Sequence, residues 1–446
     1  MTGTLPSASS PWRLRDFRVL FAAASLSHLG VNVGYVALPL LAVTVLDAGP
    51  GQVGALGALS TVAFLVLGLP AGAWVDRLPA RRVLVAADAL RAALFASVPV
   101  AWWLGVLSLP QLYAVAVLNG CATVFFDVGS QSVLPQLVGR ERLVRANSAM
   151  VGLMAGAQIA GRGAGGLLVQ LLAAPLAILA AAVAYLAAAF GLTGIGRGQR
   201  GDGRPTAQAG RHPGAPTRNR SPRLRTEIGV GLRHVLGDRV LRALVLTAAL
   251  ANVGSQTVNV MLPVLFSREL GLPAGALGTY WAAGGVGLLL GAVLARPLAA
   301  RLGHGRALAW CGCCVAPVAL VIGLVGEGPR LWAAGAAWTV VMAKIGVDNV
   351  LGVSLRQQVT PDALLGRMNA TFRFALTGSM AVAAVLAGLL GQLAGVRAAV
   401  WAGAVCMAGA FLPVFLSPLR TLRKLPAAPT SGCGSASGAQ GTTTEA

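Results

Sequence analysis

The sequence predicts an all-α membrane protein whose twelve spanning helices form two related six-helix bundles. Three observations carry this expectation. Of 446 residues, 56% are hydrophobic and only 11% are charged, far from the mix of a water-soluble domain. Twelve apolar runs each approach the ~20 residues that a helix needs to cross a bilayer. The second half of the chain also repeats landmarks of the first at two nearly constant offsets.

The runs fall near residues 17–41, 50–75, 83–105, 110–133, 145–170, 172–193, 240–266, 274–299, 306–326, 330–353, 365–392 and 394–417. The first follows Arg13, Arg15 and Arg18 and carries His28 and Asn32 four residues apart, on one helical face. The second ends in G-A-W-V-D-R-L-P-A-R-R, residues 72–82. The third begins there and holds Asp88 and Arg91, close enough to pair and placed by their position in the run near the headgroups. The fourth contains Asn119 and ends in Asp127, within F-F-D-V-G-S-Q-S-V-L-P-Q-L-V-G-R-E-R-L-V-R-A-N-S, residues 125–148.

The fifth run contains G-R-G-A-G-G, residues 161–166, whose glycines suit close helix packing. Arg162 within it either snorkels, pairs with a backbone carbonyl, or acts on substrate. The seventh run offers Gln256 and Asn259, and the eighth Tyr280 and Trp281. The tenth places Lys344 and Asp348 four residues apart, so that both project from one face. Residues 194–239 are rich in Gly, Pro and Arg and read as a flexible linker; residues 421–446 read as a small, polar, disordered tail. The chain therefore divides into bundles at 1–193 and 240–420.

At an offset of 224, Arg18 meets Arg242, Leu38-Pro39 meets Leu262-Pro263, Gly51 and Gly54 meet Gly275 and Gly278, and Arg82 meets Arg306. At 222, Gln136 meets Gln358, Arg145 and Asn147 meet Arg367 and Asn369, and Gly166 and Gln170 meet Gly388 and Gln392. The second half lacks the acid of the first, since Ala300 stands opposite Asp76.

A formal charge of +21 suggests nucleic acid at first sight, but the arginines cluster in alternate loops and no soluble basic domain carries them. Membrane topology explains them: the arginine-rich loops and both termini face the cytoplasm. The first apolar run is too long for the core of a cleavable signal. The six cysteines show neither a disulfide framework nor zinc spacing and read as small core residues. Arginine so outnumbers lysine, with Ala and Gly abundant, that a bacterial plasma membrane is the expected location.

Residues 72–82 resemble the loop between helices 2 and 3 of the major facilitator superfamily. The resemblance implies a cytoplasmic latch of Gly72, Asp76, Arg77, Arg81 and Arg82, with Asp127 meeting Arg81 when the cytoplasmic side closes. A plain basic loop explains the arginines but not Asp76 or Gly72. Pro79 stands where the family has a second glycine. Residues 125–148 resemble the branch that includes the enterobactin exporter and antibiotic efflux proteins, although Val128 replaces that branch's proline. No arginine lies between Ala114 and Gly120, so a relay through such a group is not carried over. Arg162 replaces the proline of the antiporter motif in helix 5.

The family architecture places the substrate near the midplane, between helices 1, 4, 7 and 10. It thereby singles out His28, Asn32, Asn119, Gln256, Asn259, Lys344 and Asp348, with Arg162 on helix 5. So few polar groups among apolar walls suit a bulky, partly apolar molecule. Only Lys344 and Lys424 are lysines and neither follows a phosphate-binding loop, so the chain carries no ATP motor. No cofactor is expected, and no catalytic or zinc motif accompanies the four histidines.

The expectation is a monomeric secondary transporter exporting a small molecule on a proton gradient. Import of an organic anion by symport, with Arg162 and Lys344 holding a carboxylate, is the alternative. A non-transporting sensor or scaffold is a third reading, opposed by the nearly complete latch. Lys344 with Asp348 is either a self-satisfied structural pair or the coupling site, and His28 is the rival proton carrier.

Overall fold

The computed structural model describes residues 10–67, 74–75, 78–194, 232–361 and 364–421, and these contain twelve long helices and no strand. The helices are α1 Arg15–Thr44, α2 Pro50–Leu67, α3 Ala80–Trp103, α4 Leu109–Val138, α5 Leu143–Leu172, α6 Ala174–Thr193, α7 Arg239–Val264, α8 Ala274–Leu302, α9 His304–Val321, α10 Pro329–Val359, α11 Leu365–Leu393 and α12 Val396–Gly409. They match the twelve expected spans in order. Among the described residues, eleven segments are long and apolar enough to cross a membrane. The helix outside that set is α5, diluted by Gln158, Arg162 and its glycines. All-helical construction follows from the solvent, because in hydrocarbon each backbone N–H and C=O must be satisfied within its own segment.

The start of α7 carries a side-chain cap. The Asp238 carboxylate accepts from the backbone N–H of Val240 and Leu241 at 2.8 and 2.9 Å, capping α7. Residues 232–237, within the stretch read as linker, are helical, and Val235 is buried in the second bundle's core. Pro39 and Pro263 lie inside α1 and α7, and α7 passes directly into a π-helical turn, Leu265–Glu269.

In the first bundle α6 packs on α1 and α3, and α4 on α2 and α3; in the second α10 packs on α8, and α12 on α7 and α9. The halves join through α2 against α11 and α5 against α8. Here the backbones touch. A Cβ added to Gly54 lies 2.5 Å from Gly388 Cα, and one added to Gly166 lies 2.6 Å from Gly278 Cα. A Cβ on Gly51 or Gly275 lies 2.3 or 2.2 Å from the side-chain oxygen of Gln392 or Gln170. The glycines and glutamines that mark the repeat thus meet in two equivalent clasps, and the absence of side chains is what lets the helices close.

All of these clasps lie toward the end of the molecule that carries Asp47, which pairs with Arg268 across the halves at 2.6 Å. The buried apolar residues follow the same division. One core spans both halves at the Asp47 end, from Val36 and Leu41 to Val258 and Val400. Toward the opposite, terminal end it splits into a first-half core around Phe17, Phe126 and Leu192 and a second-half core around Leu241, Leu351 and Phe372.

The outward surface is apolar, as a lipid-facing surface must be: Val66, Leu171, Phe190, Val293 and Val382 are all exposed. This corrects the reading of the cysteines. Of the described ones none is fully buried, and Cys314 is exposed. In a membrane an apolar run supplies both faces of a helix, so a position within it does not imply the core.

Candidate substrate cavity

A cavity of about 250 Å³ lies between the halves, walled mainly by α1, α2, α4 and α7. Its apolar lining includes Leu38, Pro39, Leu56, Phe64, Val260 and Pro263. Five polar side chains reach it from α2, α4 and α7: Ser60, Asn119, Thr123, Gln256 and Asn259. Ser60 and Thr123 are satisfied within their own helices, donating to Gly57 O at 2.8 Å and Asn119 O at 2.7 Å. Three other atoms are not satisfied: Asn119 Oδ1, Asn259 Oδ1 and Trp281 Nε1 are buried without a hydrogen-bond partner. A buried polar atom left without a partner costs about 1–3 kcal/mol. Two carboxamides and an indole N–H therefore stand ready for a guest that bonds to them.

One wall is aromatic and carries charge behind it. Tyr35 of α1 lies edge-on to Trp281 of α8 at 5.2 Å, and the Arg162 guanidinium sits over the Tyr35 ring at 4.4 Å. Among the described residues no acid forms an ion pair with Arg162, and its Nε is buried without a partner.

Of the expected cavity residues, the structure brings together Asn119, Gln256 and Asn259. His28, Asn32, Arg162, Lys344 and Asp348 are not in the lining. His28 turns into the first bundle, edge-on to Phe126 at 6.1 Å. Asn32 donates to His28 O at 2.9 Å and packs beneath Gly161 of α5. Lys344 and Asp348 pair at 2.5 Å inside the second bundle, where Asp348 borders a smaller cavity of about 70 Å³ with Asn252, Asn349 and Arg356. Helix membership was read correctly for these residues, but rotation about each helix axis turned them away from the centre. Tyr280 stacks on Trp338 within the second bundle, while its neighbour Trp281 faces the cavity.

Gly72, Asp76 and Arg77 of the latch lie outside the described residues. Trp74, between them, stacks on Phe125 of α4 at 6.1 Å. Arg81 donates from Nε to Leu192 O at 3.2 Å and from Nη2 to Thr193 O, a cation at the carbonyl end of α6. Arg82 is exposed. Asp127 lies in α4 next to Phe126, whose ring the Arg91 guanidinium overlies at 4.8 Å. Arg81 is thus held by α6 in this conformer rather than by Asp127.

Two features escaped the sequence. Tyr35 stands opposite Asn259 at the same offset of 224, a signal that selects it once Asn259 is chosen. Asp88 and Arg91 do pair, at 2.9 Å, and both are 0% exposed inside the first bundle. Their place along the run was legible, but the face of α3 that they occupy was not.

Two six-helix bundles clasped at one end around a partly polar cavity define a membrane transporter. The chain belongs to the Major Facilitator Superfamily, whose sequence model matches residues 20–347. No curated protein matches by sequence. Among solved structures, a bacterial homologue of the iron transporter ferroportin, in an inward-facing state, is 19% identical with a TM-score of 0.70, over 90% of this chain and 98% of that one. A mutant of the nucleoside transporter NupG is 13% identical with a TM-score of 0.70, over 90% and 100%. A bacterial homologue of the human lysosomal transporter Spinster, inward-facing and unoccupied, is 13% identical with a TM-score of 0.68, over 93% and 98%. These likenesses show the fold.

Proposed function

We propose that the chain exports a largely apolar organic molecule, such as an antibiotic, siderophore or other secondary metabolite, from the bacterial cytoplasm by proton-driven alternating access. The observation that carries this reading is the cavity between the halves, apolar in most of its wall and offering unpaired polar atoms from Asn119, Asn259 and Trp281. Such a site binds by burial and shape and orients its guest with few bonds. Its volume is just below the usual range for drug-sized ligands, so a bulky substrate enters as the halves part further.

The single core at the Asp47 end and the split cores at the terminal end supply the two-state element. The arginine distribution places the terminal end in the cytoplasm, so this conformer is open inward. Outward opening releases the clasps at Gly54 and Gly166, and the segment from Gly72 to Arg82, with Asp127, closes the terminal end. The test is accumulation of a panel of antibiotics and siderophores in energised inverted vesicles. Uptake above vesicles lacking the protein, abolished by a protonophore, is expected.

A second reading is import of an organic anion by symport, favoured by one observation: Arg162 lies against the cavity's aromatic wall, its guanidinium over the Tyr35 ring and its Nε unpartnered. Lys344 no longer supports it, because Asp348 satisfies that charge. Proton-dependent uptake of carboxylates in right-side-out vesicles, with none in inverted ones, selects this reading.

A further inference from the structure

We infer that the polar cluster inside the first bundle is a proton-binding site, with Asp88 the acid that takes up and releases the proton. Four helices build it. Ser27 of α1 donates to Asp88 Oδ1 at 2.9 Å, and Arg91 Nη1 donates to the same oxygen at 2.9 Å and to Ser27 Oγ at 2.8 Å. The guanidinium lies between two rings, Phe126 of α4 at 4.8 Å and Tyr185 of α6 at 5.4 Å. Ser27, Asp88, Arg91 and Tyr185 are each at most 1% exposed. Yet Asp88 Oδ2, Arg91 Nε, Arg91 Nη2 and the Tyr185 hydroxyl have no partner.

That distribution separates the two oxygens of one carboxylate. Oδ1 is held by two donors, whereas Oδ2 is free to form an O–H bond without breaking either of them. A proton arriving from water at Oδ2 cancels the carboxylate charge and takes the cluster from neutral to a net single positive charge on Arg91. In a low-dielectric interior that charge seeks another counterion. Among the described residues the groups facing it are Ser27 and His28 from α1, Asp127 from α4 and Tyr185 from α6.

Release of the proton to water restores the Asp88 to Arg91 pair. The site supplies the proton half of the coupling and rests on the reading of the chain as proton-driven; its test needs no substrate, so it can fail independently of vesicle transport.

The experiment is infrared difference spectroscopy on the full chain in lipid nanodiscs during a pH titration. Wild type is expected to gain a protonated-carboxyl C=O band as pH falls, retained in Asp127→Asn and Asp348→Asn and lost in Asp88→Asn. Because Asp88→Asn leaves Arg91 without its counter-charge, the paired variant Asp88→Asn/Arg91→Gln, neutral at both positions, is measured beside it. Loss of the band in that folded protein supports the assignment. The band's survival there, its loss in Asp348→Asn instead, or its absence from wild type overturns it.

Discussion

Asn119, Asn259 and Trp281 meet the cavity with polar atoms that nothing in the protein satisfies, and specificity at the residue scale follows from them. If each amide bonds the substrate, Asn259→Ala or Asn119→Ala raises the apparent KM for an identified substrate by roughly 5- to 10-fold, since a buried hydrogen bond contributes about 1–1.5 kcal/mol. Protein levels should not change, and initial transport rates against concentration check this. Lys344 and Asp348 behave differently. Lys344→Met leaves a nearly buried carboxylate without its cation, a loss of about 3–5 kcal/mol for a buried pair. Size-exclusion profiles should show that loss in Lys344→Met and recovery in Lys344→Met/Asp348→Asn. If proton-driven transport also recovers in the double variant, the pair is structural. The sequence made both residues visible as an i,i+4 pair, but which side of α10 faces the centre depends on packing partners on other helices, chiefly α8.

Helices, rather than residues, carry the proposed conformational change, and the clasps of α2 on α11 and α5 on α8 are where it can be blocked. A Cβ at Gly278 lies 2.8 Å from both Arg162 O and Gly166 Cα, atoms of a helix backbone that cannot turn aside. Gly278→Val therefore forces α5 and α8 apart and favours the conformer open at the Asp47 end. Spin labels at Val45 and Glu269 should report a longer distance for Gly278→Val than for wild type, and an unchanged one for Gly156→Ala, where an added Cβ meets nothing within 4 Å. An unaltered distance in Gly278→Val removes the clasp from the mechanism. The glycines were legible as repeat marks and as small residues suited to close packing. Their pairing across the halves was not, because a fixed offset says which residues are equivalent but not which of them touch.

At the scale of the whole molecule, the number of helices and their grouping were legible because hydrocarbon admits only long apolar helices, and the offsets of 224 and 222 tie Gly54 to Gly278 and Gly166 to Gly388. The division of the core was hidden: Val36 and Phe17 are equally apolar in sequence, yet one belongs to the shared core and the other to a single bundle. Orientation rests on the arginine asymmetry. Reporter fusions at Gly210 and Gln440 should register in the cytoplasm and one at Asp47 outside; a reversed pattern turns the inward-open assignment around.

The central claim is that the cavity opens alternately to the two sides of the membrane, and it can be tested without knowing the substrate. A single cysteine replacing Asn259, in a background lacking the native cysteines, is treated with a membrane-impermeant maleimide in right-side-out and in inverted vesicles. Labelling from both sides is predicted, with the proton gradient shifting the balance and a disulfide between cysteines at positions 47 and 268 suppressing only the outer reaction. Labelling from one side alone under every gradient contradicts alternating access through this cavity.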